Sequence, residues 1–107
     1  MDGKIIVKSL SALAHESRLQ IFRALIVAGP RGMTPTLLAE VVPIPAATLS
    51  FHLKELCNAG LVNSTRESRN LFYRADYGHM NGVLAYLTEN CCAGQGCSDE
   101  VPPSCEC

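Results

Sequence analysis

The residues best suited to chemistry are the six cysteines among 107 residues, and five of them crowd the carboxyl end. Cys91 and Cys92 are adjacent, Cys97 follows five residues on, and Cys105 and Cys107 close the sequence. Thiolates are soft ligands and select soft ions. Three of them can hold As(III) or Sb(III) in a pyramid whose apex is the lone pair. A fourth, from Cys105 or Cys107, would complete a tetrahedral site and keeps Zn(II) and Cd(II) open on ligand count. Neighbouring cysteines cannot face the same side of a regular helix, but at a frayed helix end both sulfurs can converge. The intervening residues Ala93, Gly94, Gln95 and Gly96 are small enough for Cys97 to fold back as the third ligand. The competing readings of these thiols are incidental surface cysteines, a sensor of thiol oxidation, or a metal-buffering module.

A thiol enzyme is a weaker reading. A nucleophilic cysteine needs a base or a helix N-terminus beside it, and no histidine lies near Cys91 or Cys92 in sequence. These cysteines follow the C-terminus of an expected helix, whose negative end disfavours thiolate. The sixth cysteine, Cys57, shares a helical stripe with Leu49, Leu53 and Leu56 and is expected in the core as a small hydrophobe.

The rest of the chain must position these groups. Its length suits one domain with a modest core. No apolar run approaches the 18 or so residues of a membrane span, and the amphipathic start lacks the apolar block of a secretory signal. The expectation is a cytoplasmic protein without membrane contact, where reducing conditions leave thiols available for metals. The formal net charge is −1, which does not favour nucleic acid. All nine Lys and Arg nevertheless lie at or before Arg74. Through Cys97 nine positive charges stand against seven negative, leaving +2, whereas the last ten residues carry −3.

Periodicity gives four helices, a hairpin and a final helix. Ile5, Ile6, Leu10, Leu13 and Ala14 form a first stripe, and Leu19, Phe22, Leu25 and Ile26 a second that ends at Gly29-Pro30. Thr34-Pro35 is a start signal, with Thr as cap and Pro in the first helical position; Leu37, Leu38, Val41 and Val42 follow. Pro43-Ile44-Pro45 forces an extended turn. Ala46 to Asn58 then carries Ala47, Thr48, Phe51 and Lys54 opposite its leucine stripe, with Ser50 and His52 on the flanks, before Gly60 ends the helix. Two short helices across a tight turn, the second with a small, hydrogen-bonding outer face, have the form of a major-groove reader. Residues 61–66 and 70–74 suggest two strands around Glu67-Ser68-Arg69. Arg66, Arg69 and Arg74 sit in or beside this hairpin, where they can reach phosphates or remain solvated. Met80, Val83, Leu84 and Leu87 mark a last helix from Tyr77 to Asn90.

The strings LSALAHESRLQIFRAL, TLSFHLKELCNAGLV and LFYRAD, over about residues 5–90, resemble the ArsR/SmtB family of small metalloregulatory repressors. The resemblance implies a mostly α, winged helix-turn-helix fold (α-α-α-α-β-β-α). It also implies a homodimer that blocks a promoter and leaves it when an inducer binds. The first and last helices carry apolar stripes that a body this small cannot cover, and they are the expected pairing surface, with packing within one chain as the competing arrangement. Residues 1–90 would form the DNA-binding and dimerisation domain and residues 91–107 a Cys-rich inducer-binding tail. On the double-stranded operator, Ala47, Thr48, Ser50, Phe51 and His52 are the candidates for base edges or nearby backbone. Lys54, Arg66 and Arg69 are the candidates for phosphates.

Family members hold their metal in different places. The Cys-Val-Cys site of some arsenic sensors would fall in TPTLLAEVV, which has no cysteine. The zinc site on the last helix would use Asp76 and His79, but the residue eleven positions after His79 is Asn90, so His79 is expected at the surface or an interface. The vicinal pair plus a third cysteine resembles the As(III) site of other members. That resemblance implies ligand roles for Cys91, Cys92 and Cys97, with As(III) or Sb(III) as inducer.

Overall fold

The computed structural model describes residues 1–94; Cys97, Cys105 and Cys107 lie outside the described residues. Helices α1 (Gly3–Leu13), α2 (Glu16–Ala28), α3 (Pro35–Val41) and α4 (Ala46–Asn58) precede strands β1 (Val62–Glu67) and β2 (Asn70–Ala75), and α5 (Tyr77–Leu87) follows. The element order is the expected one. The strands form an antiparallel two-stranded sheet with Val62 opposite Ala75 and Glu67 opposite Asn70, so Ser68 and Arg69 alone make the hairpin tip.

Local chemistry explains the boundaries. Thr34 caps α3, its Oγ1 accepting from the Leu37 amide at 3.3 Å, and Pro35 occupies the first turn, where its missing N–H costs nothing. Asp2 and Asp76 cap α1 and α5 in the same manner, each Oδ1 accepting a backbone amide at 2.9 Å. At the end of α4 the amide of Gly60 bonds to the carbonyl of Cys57 and that of Leu61 to Leu56. This 5→2 and 6→1 pair needs a left-handed residue at Gly60, whose φ is +82°. The axes of α3 and α4 turn by 106° across the proline-flanked break, within the range of a DNA-reading helix pair.

The core gathers Ile21, Phe22 and Leu25 of α2, Leu38 and Val42 from α3 and its end, and Leu49, Leu53 and Leu56 of α4. Leu61, Val62 and Ala75 close it at the base of the hairpin. Gly32 lets the backbone before α3 run against β2. A Cβ there would lie 2.6 Å from the Tyr73 carbonyl oxygen, and Met33 and Tyr73 exchange both backbone hydrogen bonds at this point.

Three expectations need correction. In α1 the inward stripe is Ile6, Ser9 and Ala12, while Ile5 and Leu10 face outward. Leu19 of α2 is also exposed; both shifts follow from which face meets α4. The last helix ends at Leu87 rather than Asn90, because Thr88 caps it and its Oγ1 bonds back to the Leu84 carbonyl. No helix among the described residues is by itself long and apolar enough to cross a membrane.

Candidate functional site

Two groups of residues could carry function: the outer face of α4 with the hairpin, and the thiols just past α5. On α4, Leu49, Leu53 and Leu56 point into the core and leave Ala47, Thr48, Ser50, Phe51 and Lys54 on the exposed side. Arg66 at the end of β1 and Arg69 at the hairpin tip are exposed as well. The face is small and polar around one ring, Phe51, which is 53% exposed. Such a surface can offer hydrogen bonds to base edges and an apolar contact to a thymine methyl, with Lys54, Arg66 and Arg69 available to phosphates.

His52 departs from the expected set. Its side chain is buried, 5% exposed, because position 52 falls three residues after Leu49, within the inward stripe. Its Nδ1 accepts a hydrogen bond from Arg18 Nε at 3.0 Å, which makes Nδ1 the unprotonated nitrogen. The ring of His15 lies 4.7 Å away, centroid to centroid, and the Arg18 guanidinium sits 5.7 Å from the centre of Phe51. Burial, then the neighbouring His15 and Arg18, push the His52 pKa below its ordinary value. His52 therefore positions α4 against α2 and holds Arg18 beneath Phe51, and does not itself face outward.

Arg74 is likewise committed within the hairpin. Its Nε donates to the Pro30 carbonyl at 2.7 Å, one terminal nitrogen donates to Thr65 Oγ1, and the other pairs with Glu67 at 3.1 Å. It braces the hairpin against the turn after α2.

At the far end of the molecule, Asn90, Cys92 and Ala93 adopt left-handed backbone, each with φ of 56–57°. The chain thereby leaves α5 in a tight turn with left-handed residues at Cys92 and Ala93, and the two sulfurs come to 3.7 Å of each other. Two thiolates at about 2.3 Å from one tetrahedral ion lie about 3.8 Å apart, so this spacing suits joint ligation of a soft ion. Among the described residues no three His, Cys, Asp or Glu groups converge; the proposed third sulfur, Cys97, lies outside them.

Cys57 is half-buried against the core, and burial raises its thiol pKa, so it stays protonated near neutral pH. His79 is not simply a surface residue. Its Nε2 is 2.7 Å from Ser9 Oγ, and its ring packs over Gly60, where a Cβ would meet Cε1 at 2.9 Å. Ser9 is fully buried, and its Oγ also reaches the carbonyls of Ile5 and Ala59. One contact thus ties α1, the end of α4 and the start of α5. Sequence reasoning missed Ser9, His15 and Arg18; Ser9 had a detectable signal, its spacing of three from both Ile6 and Ala12.

Residues 13–65 match the family model described as a helix-turn-helix domain. The chain is 34% identical over 80 residues to the HTH-type transcriptional regulator KmtR of Mycobacterium tuberculosis (strain ATCC 25618 / H37Rv), covering 75% of this chain and 59% of KmtR. It thus spans under two thirds of that relative. Identity is 35% over 71 residues to the uncharacterized HTH-type transcriptional regulator YceK of Bacillus subtilis (strain 168), covering 66% of this chain and 70% of YceK. Among solved structures, an ArsR-like transcriptional regulator from Rhodococcus sp. RHA1 superposes with a TM-score of 0.72 at 27% identity, over 85% of this chain and 82% of that one. A possible transcriptional regulator for arsenical resistance gives 0.65 at 28% identity, over 75% and 80%.

Proposed function

The chain belongs to the ArsR/SmtB family of winged helix-turn-helix, DNA-binding transcriptional regulators, and from that premise we propose that it is a homodimeric repressor released from its operator by As(III) or Sb(III). The observation that supports a thiophilic inducer is the left-handed turn after α5, which sets the sulfurs of Cys91 and Cys92 3.7 Å apart; the choice of a metalloid rests on the count of three thiolates. Cys97 supplies the third thiolate. A trithiolate set suits a pyramidal metalloid, and likeness to a regulator named for arsenical resistance points the same way.

Pairing uses the outer faces of α1 and α5. Val7, Leu10, Leu84 and Leu87 are each at least 40% exposed, and exposed apolar faces of this kind mark interfaces. Pairing there sets two copies of α4 about 34–36 Å apart on successive turns of one duplex face. Thr48, Ser50 and Phe51 then read base edges, with Ala47 beside them, while Lys54, Arg66 and Arg69 meet phosphates.

Release follows from linkage. An ion that binds the DNA-free dimer more tightly than the DNA-bound one lowers DNA affinity by the same coupling, typically about 1–3 kcal/mol. Drawing Cys97 onto Cys91 and Cys92 reshapes the end of α5. The link from α5 through His79 and Ser9 to Ala59 passes the change to the end of the reading helix.

The test is duplex binding, measured by anisotropy on DNA selected from random sequence by the native chain, with and without arsenite. Arsenite should release the native protein, and Cys92→Ser should remain bound. If a chain cut after Asn90 still lets go on arsenite addition, the thiol assignment fails. If affinity does not fall with added salt, the phosphate contacts fail as well.

A further inference from the structure

A second apolar surface lies away from both the pairing helices and the reading face. A groove of about 1050 Å³ runs between the C-terminal half of α2, α3 and β2. Val27 and Val41 on its walls are 81% and 59% exposed, and Leu37 and Phe72 line it with them. The fold does not need these side chains outside, since α2 and α3 already bury Ile21, Phe22, Leu25 and Leu38 on their inner sides. Neither does the reading face account for them, because no residue of α4 lines the groove.

Charge gives the groove its direction. Arg23 and Arg31 stand on its rim, and no Asp or Glu lines it. Among the described residues the ion pair is Arg74 with Glu67, so neither rim arginine has a carboxylate within bridging distance there. Ligand sites are mostly apolar concavities of about 300–1,000 Å³ with a few placed polar groups, and a guanidinium grips a carboxylate through two parallel hydrogen bonds.

We propose that this groove binds a free amphiphilic carboxylic acid. Its hydrocarbon lies along Val27, Leu37, Val41 and Phe72, and its carboxylate rests on Arg23 or Arg31. The site shares no residue with the thiols or with the outer face of α4, so it stands whether or not the metalloid reading does. It gives the protein a second ligand class, organic anions.

The probe is dodecanoate, added as monomer to the full, isotope-labelled chain and followed by amide and methyl NMR. Saturable binding of one molecule per protomer is expected, with shifts centred on Val27, Leu37 and Val41. Dodecan-1-ol, which keeps the chain and lacks the charge, should bind about tenfold more weakly, as should dodecanoate to the Arg23→Ala, Arg31→Ala double variant. Val41→Asp should abolish binding. Both variants alter exposed side chains, and the double arginine variant decides the matter if Val41→Asp misfolds. Equal binding of acid and alcohol overturns the proposal, as does absence of saturable binding. Shifts centred instead on Leu84 and Leu87, or groove shifts that follow protein concentration without ligand, assign the amphiphile or the groove elsewhere and overturn it too.

Discussion

The half around α4, proposed to read DNA, and the half formed by α1 and α5, proposed to pair, use their apolar side chains in opposite ways. In α4, Leu49, Leu53 and Leu56 are all at most 2% exposed, and the helix is closed at its end by two backbone hydrogen bonds through Gly60. In α5, of nearly equal length, Val83 alone is buried, and Leu84, Tyr86 and Leu87 face outward. α1 behaves like α5, with Ile5, Val7 and Leu10 exposed. The leucine stripe of the α4 half is therefore finished within one chain, and the outer faces of α5 and α1 are finished only when something covers them. Under the proposed release mechanism, the second half is the joint whose adjustment moves two reading heads.

The largest expected effect tests that division directly. Leu56→Ala opens a cavity in the finished half and should cost about 2–5 kcal/mol in urea unfolding. Leu84→Asp should leave the unfolding of the dilute monomer within about 0.5 kcal/mol while removing self-association in sedimentation equilibrium. If both substitutions destabilise the monomer alike, α5 belongs to the core of one chain and the contrast collapses.

A smaller effect sits on the joint between the halves. His79 Nε2 and Ser9 Oγ share a hydrogen bond at 2.7 Å, and Ser9 Oγ also reaches the carbonyls of Ile5 and Ala59. Ser9→Ala removes that partner beneath a half-buried ring and should cost about 1 kcal/mol. Hydrogen exchange should quicken at the amides of Gly60 and Leu61, which bond back to α4. Loss confined to α1, with these two amides still protected, would show that the halves are joined elsewhere.

Spacing made most of the architecture legible. The Thr34-Pro35 start, the proline break and Gly60 each act through local backbone chemistry, so a single sequence suffices to place them. The outer face of α4 was legible to the same degree, because Leu49, Leu53 and Leu56 fix which side of the helix faces out. His52 and Ser9 were not, although both obey the three-residue spacing of a buried stripe. A polar residue in an apolar stripe discloses its place only through its partner. Arg18 is 34 positions from His52, and His79 is 70 from Ser9. Arg74 misleads for the same reason: its charge suggests phosphate, and its acceptors at Pro30, Thr65 and Glu67 emerge only once the hairpin is folded. The meeting of Cys91 and Cys92 was readable as a consequence of a frayed helix end. The left-handed residues that bring it about, Asn90, Cys92 and Ala93, carry no signal of their own except Asn90, which tolerates that conformation.

The smallest expected effect concerns acid and the finished half. The groups facing His52 are His15, Arg18 and the ring of Phe51, so protonating it adds a charge beside a fixed cation in a dry site. Burial first, then His15 and Arg18, hold its folded pKa below the ordinary 6.5. The unfolded chain therefore takes up this proton first. The stabilisation is whole above that ordinary value and is lost as pH falls through it towards the folded pKa. Urea unfolding should weaken on acidification from neutral pH, and His52→Asn, whose amide oxygen lies where Nδ1 accepts from Arg18 but cannot titrate, should flatten that slope. The contrast between the halves adds a sharper requirement. His52 lies in the half that one chain completes, so the slope should persist unchanged in monomeric Leu84→Asp. A slope that vanishes with self-association would place the titrating group at the joint, and His52 would cease to be its cause.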